Sequence, residues 1–340
     1  MKLLENHSLL EHNTFGVDAQ CRYFVEYDSE IDLKTFLSEG LPKYNLPYFH
    51  IGSGSNILFV GDYAGIILHS AILGKEVVAE DNAAVWLRVG AGENWDELVA
   101  WCVEQGYYGL ENLSYIPGEV GAAAVQNIGA YGKEAADFID RVEAVAVADG
   151  QFRVFSQAEC NYAYRYSCFK GEEKGKYVIT KVVLRLSKSF HPDLTYGGLA
   201  REVQERHLDP ASLTPAQLRA LVIAIRQSKL PEPSVIGSAG SFFMNPVVSE
   251  AKAQSLLALY PNIPHYAVAG GQKIPAGWLI EQCGWKGKCR GAAGVYEKQA
   301  LVLVNLGGAT GEEIRQLSEE IQQVVKEKFG IAIYPEVNFI

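Results

Sequence analysis

Apolar residues alternate with polar ones, or form short unbroken runs, along much of the first half of the chain. Gly, Asp and Asn separate these runs, a pattern that predicts β-strands. The predicted strands lie at residues 22–26, 47–51, 57–60, 66–69 and 84–90. Between Trp95 and Cys102 the apolar residues recur instead at helical spacing, and Gly106 follows as a stop signal. The first half therefore mixes strands with a few helices.

A long helix is predicted to begin near residue 214. Thr214 has the position of an N-cap, Pro215 that of the first helical residue and Gln217 that of the partner in a capping box. The pattern ends before Pro231. This helix opens a second block of sequence.

A second capping box, formed by Thr310 and Glu313, predicts a helix at 311–329 that Gly330 ends. Apolar residues flank it in two predicted strands, at 300–305 and at 331–340. Pro335 within the latter marks an edge or a bulge.

Residues 188–211 show few periodic signals, which favours a linker or a long functional loop. The chain has 340 residues, of which 48% are apolar and 21% charged, as in soluble proteins of about two or three domains. No internal repeat is visible.

The charge and the cysteines narrow the range of partners. A formal net charge of −10 gives no overall basic field to attract nucleic acid. Neither a signal peptide nor an apolar run of about 18–20 residues is present, so we expect no membrane partner. The six cysteines form no C-x-x-C pair, which favours free thiols in the cytoplasm. The seven histidines form no H-x-x-x-H pair, and we expect no metal.

The first chemical signal is the stretch "IGSGSNILFV", in which Gly52, Ser53, Gly54, Ser55 and Asn56 lie between two apolar runs. Small residues let consecutive backbone N–H groups point at one anion. A Rossmann site does not fit, because the third glycine is missing and the following residues are β-like. The stretch is either another kind of phosphate loop or a hairpin.

The second signal is the stretch "IPGEVGAAAVQNIGAYG" at 116–132, rich in Gly and Ala. One interpretation is a buried, tightly packed irregular loop. A loop of this length carries many backbone N–H and C=O groups that need partners. A flat polar ligand lying against it would supply them, which favours a cofactor.

Several motifs occur in order along the chain: "GSGSN", "PGEVGAAAVQNIGAYG", "YRYSCFK", "LTYGGL", "SKLP", "AGSFFMNP", "AGWLIEQCGWKG" and "YPEV". Together they resemble the UDP-N-acetylenolpyruvoylglucosamine reductases, flavoenzymes of peptidoglycan precursor synthesis. The resemblance runs from about residue 13 to residue 340, and "LTYGGL" resembles the substrate-covering loop of the longer, type I members.

This resemblance implies an α+β fold. A two-lobed FAD-binding domain of the vanillyl-alcohol-oxidase (PCMH) type is expected at 13–187. A linker with the substrate-covering loop would follow at 188–211, where Gly197 and Gly198 would act as a hinge, and a C-terminal α/β substrate-binding domain at 212–340.

The resemblance also implies FAD as cofactor and NADPH as co-substrate. The FAD is expected to be non-covalent, because no His or Cys stands at an evident attachment position. Residues 52–56 would cradle its pyrophosphate, and the second loop would lie against its flavin ring. The expected cofactor-binding residues are Gly52, Ser53, Gly54, Ser55, Asn56, Gly118, Gly121, Ala122, Ala123, Gln126, Asn127, Gly129, Ala130 and Tyr131. One departure is Ala124, where family members often carry Pro.

The implied substrate is UDP-N-acetylglucosamine enolpyruvate, whose carbon–carbon double bond is attached to a carboxylate. Its reduction needs a cation to stabilise developing negative charge and an acid to protonate carbon. Arg165 can grip a carboxylate bidentately, and the family match makes Glu336 its partner at the reacting carbon. Ser241 is no nucleophile elbow, since the flanking glycines are missing, and we interpret it as the proton donor.

Further family substrate positions are matched by polar residues: Tyr196, Lys229, Asn245, Lys286 and Gln299. Lys286 also belongs to a basic cluster with Lys288 and Arg290, which suits an anionic ligand. We expect a monomer. The rival hypotheses are another FAD-dependent oxidase or dehydrogenase of the same fold and a non-enzymatic UDP-sugar binding protein.

Overall fold

The computed structural model describes residues 1–340, except for the burial of Gly197. The hinge expected at that glycine therefore lies outside the described residues. The chain divides into two compact units that interleave along the sequence. The first unit consists of Met1–His7, Cys21–Ser53 and Ala64–Arg226, and the second of Ser8–Gln20, Gly54–Tyr63 and Gln227–Ile340. The expected division at 13–187, 188–211 and 212–340 stays a prediction.

The strands are short and occur throughout the chain. They are β1 (Lys2–Ser8), β2 (Gln20–Tyr27), β3 (Tyr48–Ile51), β4 (Ile57–Leu58), β5 (Tyr63–Ser70), β6 (Lys75–Glu80), β7 (Ala84–Gly90), β8 (Gly129–Ala130), β9 (Lys133–Glu134), β10 (Ile139–Ala146), β11 (Phe152–Ser156), β12 (Tyr177–Ser187), β13 (Val247–Val248), β14 (Tyr266–Val268), β15 (Gly271–Lys273), β16 (Cys289–Arg290), β17 (Ala293–Val295), β18 (Leu303–Asn305) and β19 (Asn338–Phe339). The α-helices are α1 (Glu30–Thr35), α2 (Leu41–Tyr44), α3 (Trp95–Gln105), α4 (Val120–Gln126), α5 (Gly197–Glu205), α6 (Pro215–Lys229), α7 (Glu250–Leu259), α8 (Ala276–Gln282) and α9 (Gly311–Phe329).

The first unit contains two main sheets. A four-stranded sheet has the order β1-β2-β5-β3, with β3 and β5 parallel. A five-stranded sheet, with the order β11-β10-β12-β7-β6, is antiparallel throughout. Helix α3 packs its stripe of Trp95, Leu98 and Cys102 into the core beneath the five-stranded sheet, and Gly106 ends it in the left-handed conformation. The strands predicted at 22–26, 47–51, 66–69 and 84–90 and this helix are confirmed, whereas the strand predicted at 57–60 forms only at Ile57–Leu58.

Helix α6 begins as predicted. The N–H of Thr214 donates to Gln217 Oε1 at 2.9 Å, and the N–H of Gln217 donates to Thr214 Oγ1 at 3.2 Å. These reciprocal bonds satisfy two donors that a helix N-terminus would otherwise leave without partners. The buried face of α6 packs against α5 through Leu199 and Val203.

Two segments differ from the expectation of irregular structure. Residues 120–126, within the expected flavin loop, form α4, and the N–H of Gly121 donates to Ala91 O at 2.9 Å. Residues 188–211 contain α5, supported by the i,i+4 ion pairs of Arg201 with Glu205 and of Arg206 with Glu202. Small residues in α4 and few apolar residues in α5 hide the helical period, so the pattern could not show either helix.

The second unit is built around α9, which has the predicted capping box of Thr310 and Glu313 and the closing Gly330. Its apolar stripe packs with α8 in one core. The three-stranded sheets β13-β15-β14 and β16-β17-β18 lie in the same unit, and β4 pairs in parallel with β19. The strand predicted at 331–340 is wrong over most of its length, because a strand forms only at Asn338–Phe339, with an isolated bridge at Pro335.

In the described part of the chain no helix combines the length and apolar character that crossing a membrane requires. Among the described residues, no group of His, Cys, Asp or Glu is placed to hold a metal ion.

Candidate active site

In the first unit, the two expected flavin loops touch at Gly52. A Cβ added to Gly52 would lie 3.0 Å from Glu119 Oε2 and 3.3 Å from Ala122 Cβ, so the two loops are in close contact at this glycine. Ser53 follows, and its Oγ is buried with no hydrogen-bond partner among the described residues. A buried hydroxyl of this kind calls for an additional partner. An oxygen of a bound diphosphate would supply it, so the residues fit the expected cofactor.

The remaining residues of the first loop belong to the second unit. Gly54 has a φ of +70°, and an added Cβ would lie 2.0 Å from His12 O, so only glycine fits there. Asn56 accepts hydrogen bonds at its carbonyl oxygen from both the N–H and the side-chain amide of Asn338, each at 3.1 Å. The side-chain amide of Asn56 donates to Glu336 O at 3.3 Å. Asn56 therefore joins the first flavin loop to the segment that carries an expected catalytic residue.

The second loop is anchored where α4 begins and ends. The N–H of Val120 donates to Glu93 O at 3.0 Å, beside the bond of Gly121 to Ala91. Ala123 and Ala124, the second of which departs from the family pattern, are buried in the core under the five-stranded sheet. Asn127 ends the helix with a φ of +46°.

The Asn127 side chain fixes the rest of the loop. Its amide donates at 2.9 Å to both Glu134 Oε2 and Ala163 O, and its Oδ1 accepts from the N–H of Ala136 at 3.0 Å. Asn127 is fully buried, so these bonds are needed to satisfy it. The loop residue Tyr131 follows in a left-handed conformation, with a φ of +50°.

Arg165 lies against this loop. Its Nη2 donates to Gly129 O at 2.8 Å and its Nη1 to Asn127 O at 3.4 Å. The Lys170 ammonium donates at 2.9 Å to both Arg165 O and Gln126 Oε1. The structure thus brings an expected catalytic residue together with expected cofactor-binding residues, within the first unit.

Ser241 and Glu336 come together in the second unit. Residue 241 forms a bridge with Val302 on one side, and on the other side the N–H of Glu336 donates to Phe242 O at 2.8 Å. Phe242 and Phe243 are buried in the core, whereas Ser241 is exposed and Glu336 half-buried. Two phenylalanine anchors therefore hold the Ser241 segment beside the Glu336 segment and leave Ser241 exposed.

Of the other expected substrate residues, Asn245 and Gln299 are held by the backbone of the second unit. Asn245 Oδ1 accepts from the N–H of Ala276, the first residue of α8, at 2.9 Å. Gln299 Oε1 accepts from the N–H of Leu301 at 3.3 Å.

The expected basic cluster is largely compensated by carboxylates. Lys286 pairs with Glu281 at 3.1 Å, and Arg290 pairs with Glu320 at 2.7 Å. The cluster therefore offers less free positive charge to an anionic ligand than the sequence suggested.

Lys229, which lies outside this cluster, is exposed at the last turn of α6.

Sequence reasoning missed Arg226. Its Nε donates to Tyr115 O at 2.8 Å, and its guanidinium hydrogen-bonds the Tyr131 side chain, whose ring meets that of Tyr196 edge-on at 5.5 Å. Burial lowers the pKa of the guanidinium, and burial raises the pKa of Tyr131 despite the nearby cation. A signal existed: Arg226 follows Val222 by one helical turn, which places it on the buried face of α6.

Comparison with known proteins identifies both parts of the chain. Residues 22–156 match the family model of an FAD-binding domain, and residues 232–340 match that of the C-terminal domain of UDP-N-acetylenolpyruvoylglucosamine reductase. The chain is therefore a flavoprotein with an FAD-binding domain of the PCMH type and a C-terminal domain, and the expected α+β fold class is confirmed.

The relatives are similar over the full length. The chain is 50% identical over 337 residues to a UDP-N-acetylenolpyruvoylglucosamine reductase of Bacteroides fragilis, covering 99% of both chains. It is 47% identical over 343 residues to the enzyme of that name from Porphyromonas gingivalis, covering 100% of both. The chain belongs to the UDP-N-acetylenolpyruvoylglucosamine reductase family. The crystal structure of the Thermus caldophilus member, 23% identical, agrees in fold with a TM-score of 0.68, covering 99% of this chain and 98% of that one.

Proposed function

We propose that the protein catalyses the NADPH-dependent reduction of UDP-N-acetyl-3-O-(1-carboxyvinyl)-glucosamine to UDP-N-acetylmuramate, the reaction of a UDP-N-acetylmuramate dehydrogenase. The names of its full-length relatives support the substrate. The observation that carries the proposal is the pairing of the Ser241 segment with the Glu336 segment in the second unit. This pairing brings the backbone segment of an exposed serine next to the segment that carries Glu336.

FAD, when bound, supplies a carrier that takes a hydride from NADPH and passes it to the substrate alkene. Ser53 and the loop of α4 are the proposed contacts of this cofactor in the first unit. The buried Ser53 hydroxyl and the close approach of Gly52 to Glu119 and Ala122 support this assignment. Non-covalent attachment is part of the proposal.

Arg165 is the proposed partner of the substrate carboxylate. Negative charge moves toward that carboxylate during reduction, and a guanidinium keeps its proton at any working pH. The bond of Nη2 to Gly129 O and the αL backbone of Arg165 support a fixed orientation. A fixed cation needs no reorganisation when charge develops.

Ser241 is the proposed proton donor and Glu336 its companion at the reacting carbon. A hydroxyl is a weak acid, but a carbanion is a strong base, so position matters more than acidity. Phe242 and Phe243 fix that position by burial. In its protonated form, the Glu336 carboxyl would donate a hydrogen bond to the developing enolate.

The remaining proposed substrate contacts follow the family match. They are Tyr196, Lys229, Asn245, Lys286 and Gln299. We place the reaction in peptidoglycan precursor synthesis, and hence in cell-wall formation, cell shape and division. Six free cysteines, four of them buried, support a reducing compartment, and we propose the cytoplasm. We also propose that the protein is a monomer.

Separate measurement of the two half-reactions tests the proposal. Reduction of the flavin by NADPH needs no acid from the protein, whereas reoxidation by the enolpyruvyl substrate needs a proton at carbon. Ser241→Ala should therefore be reduced at close to the normal rate and reoxidised more slowly by about 10²-fold or more. Stopped-flow absorbance at the flavin band measures both steps on one sample.

Two further variants sharpen this experiment. Ser241→Cys should recover part of the loss, because a thiol can also donate a proton. Ser234→Ala, at an exposed serine a few residues upstream, should leave both rates unchanged. Equal slowing of both half-reactions in Ser241→Ala, or a normal reoxidation rate, would show that Ser241 is not the donor.

A further inference from the structure

A histidine bonded to two carboxylates lies behind the first flavin loop, in the first unit. His69 Nδ1 is 3.1 Å from Glu26 Oε2, and His69 Nε2 is 3.1 Å from Glu119 Oε1. The three residues come from β5, from β2 and from the residue that precedes α4. We call Glu26, His69 and Glu119 the carboxylate–histidine bridge.

The two contacts favour one arrangement of protons in the bridge. An ionised carboxylate only accepts hydrogen bonds, and a neutral imidazole has one N–H and one lone pair. A neutral His69 would therefore turn a lone pair toward one of the two carboxylates. Both contacts are satisfied together when His69 carries protons on Nδ1 and Nε2, as an imidazolium.

The two ends of the bridge differ in their surroundings. Glu26 has a second cation, because Lys2 Nζ lies 3.7 Å from its Oε1. Glu119 has a side chain only 12% exposed, and its other oxygen, Oε2, lies 3.0 Å from the position of a Cβ on Gly52. The positive charge next to Glu119 in the bridge is that of His69.

Two further histidines and a phenylalanine lie around His69. His50, on the neighbouring strand β3, is bonded to the Tyr27 hydroxyl at 2.6 Å, and burial lowers its pKa to about 3. The ring of Phe24 stacks on His69 with centroids 5.9 Å apart, and His7 lies beyond it at 4.7 Å from Phe24. The charge that titrates nearest to Glu119 is thus that of His69 itself.

We propose that His69 is a positioning residue of the FAD site, which holds the Glu119 carboxylate against Gly52 and neutralises it beside the cofactor's diphosphate. The inference rests on the proposed cofactor contacts at Gly52 and Ser53. Without the imidazolium, an uncompensated anion would stand next to the loop that must accept a second anion. Coulomb repulsion in a partly buried site would then weaken the binding of FAD.

A dependence on pH follows. Burial lowers the pKa of His69, but the hydrogen bonds and negative charges of Glu119 and Glu26 outweigh it, and the net direction is upward. The stabilising charge is therefore fully present below the ordinary histidine value and is lost as pH rises through the raised pKa. FAD affinity should fall over the same interval.

Titration of FAD into apoprotein prepared from the holoenzyme tests this inference. Quenching of flavin fluorescence gives the dissociation constant at a series of pH values between about 6 and 9. We expect the constant of the native protein to rise by about fivefold or more over this interval. His69→Gln, which keeps hydrogen-bonding capacity but cannot become charged, should bind more weakly at pH 6 and show a flat profile.

His50→Gln is the matched control, because it removes a strand histidine of the same sheet that stays neutral in this range. It should keep the pH dependence of the native protein. Glu119→Gln should flatten the profile, since the carboxylate that needs neutralising is gone. A His69→Gln protein with the native profile would overturn the inference while leaving the flavin function intact, whereas native protein that bound no FAD would overturn both.

A direct readout covers the case in which His69→Gln does not fold. In nitrogen-15 NMR of native protein with labelled histidine, the His69 ring should show two protonated nitrogens at pH 6.5 and lose one only above the pH at which free histidine does. A single neutral tautomer at that pH would overturn the inference.

Discussion

At the scale of single residues, burial and a few hydrogen bonds decide how a charged side chain behaves. Asp96 is an example in the first unit. Arg219 grips its carboxylate with two hydrogen bonds, at 2.6 and 2.9 Å, and the N–H of Tyr115 donates to the same group. Burial raises the pKa of Asp96, but these donors outweigh it, so the net direction is downward.

The depressed pKa makes Asp96 a source of stability that acid removes. A carboxyl with a lowered folded-state pKa stabilises the protein above its unfolded pKa, and this stability disappears as pH falls through the folded value. Asp96→Asn should destabilise the first unit by about 1.5–3 kcal/mol at neutral pH, and the difference from native protein should shrink in acid. Urea unfolding at a series of pH values measures both effects.

An exposed pair provides the control for this prediction. Arg201 and Glu205 also form an ion pair at 2.8 Å, but their side chains are 78% and 55% exposed. Glu205→Gln should change the free energy of unfolding by no more than a few tenths of a kcal/mol, because water screens such pairs. Equal effects of the two substitutions would contradict the role given to burial.

At the scale of elements, the sequence predicted those helices whose ends carry their own chemical signals. The capping boxes at Thr214 and Thr310 and the stop at Gly106 all appear in the structure. Helix α4 could not be predicted in this way, since Glu119 provides no side-chain cap and the helix is held instead by tertiary bonds to residues 91 and 93. Sequence signals such as capping residues indicate contacts within a helix, and a helix that is held by residues distant in the sequence does not need such signals.

The cap of α9 gives a prediction at this scale. Thr310 Oγ1 accepts from the N–H of Glu313 at 3.2 Å, and the N–H of Thr310 donates back to Glu313 Oε2 at 2.8 Å. Thr310→Ala should destabilise the second unit by about 0.5–2 kcal/mol, whereas Thr310→Asn keeps an acceptor and should cost much less. Hydrogen exchange of the amides in the first turn of α9 should accelerate in the alanine variant alone. Acceleration in both variants would mean that something other than the cap holds this turn.

At the scale of the whole molecule, the pattern along the chain says little about pairings between distant segments. The second unit includes Ser8–Gln20 and Gly54–Tyr63 together with the C-terminal residues, and β4 pairs with the far end of the chain at β19. In the sequence, only the family resemblance links residues as far apart as Ser241 and Glu336. The same is true of Arg165, whose bonds to the flavin loop depend on tertiary structure.

The non-covalent attachment of FAD is a prediction about the whole molecule, because it depends on whether any side chain of the FAD-binding part can form a covalent bond with the flavin. Attachment through sulfur requires a thiolate. Burial raises the pKa of Cys102 and Cys168 to about 12 and that of Cys21 and Cys160 to about 11, so all four are thiols at neutral pH.

Two of the strand histidines, His69 and His50, are no better suited to attachment. Both ring nitrogens of His69 are bonded to carboxylates, and His50 is bonded to Tyr27. We therefore expect purified protein to be yellow and to release its flavin as intact FAD when it is denatured by acid or heat. Chromatography of the supernatant after precipitation, with absorbance read at the flavin band in both supernatant and pellet, measures the released fraction. A covalent bond survives acid, whereas non-covalent contacts do not survive unfolding. Flavin retained in the washed pellet would therefore show that a side chain of the protein is bonded to the flavin.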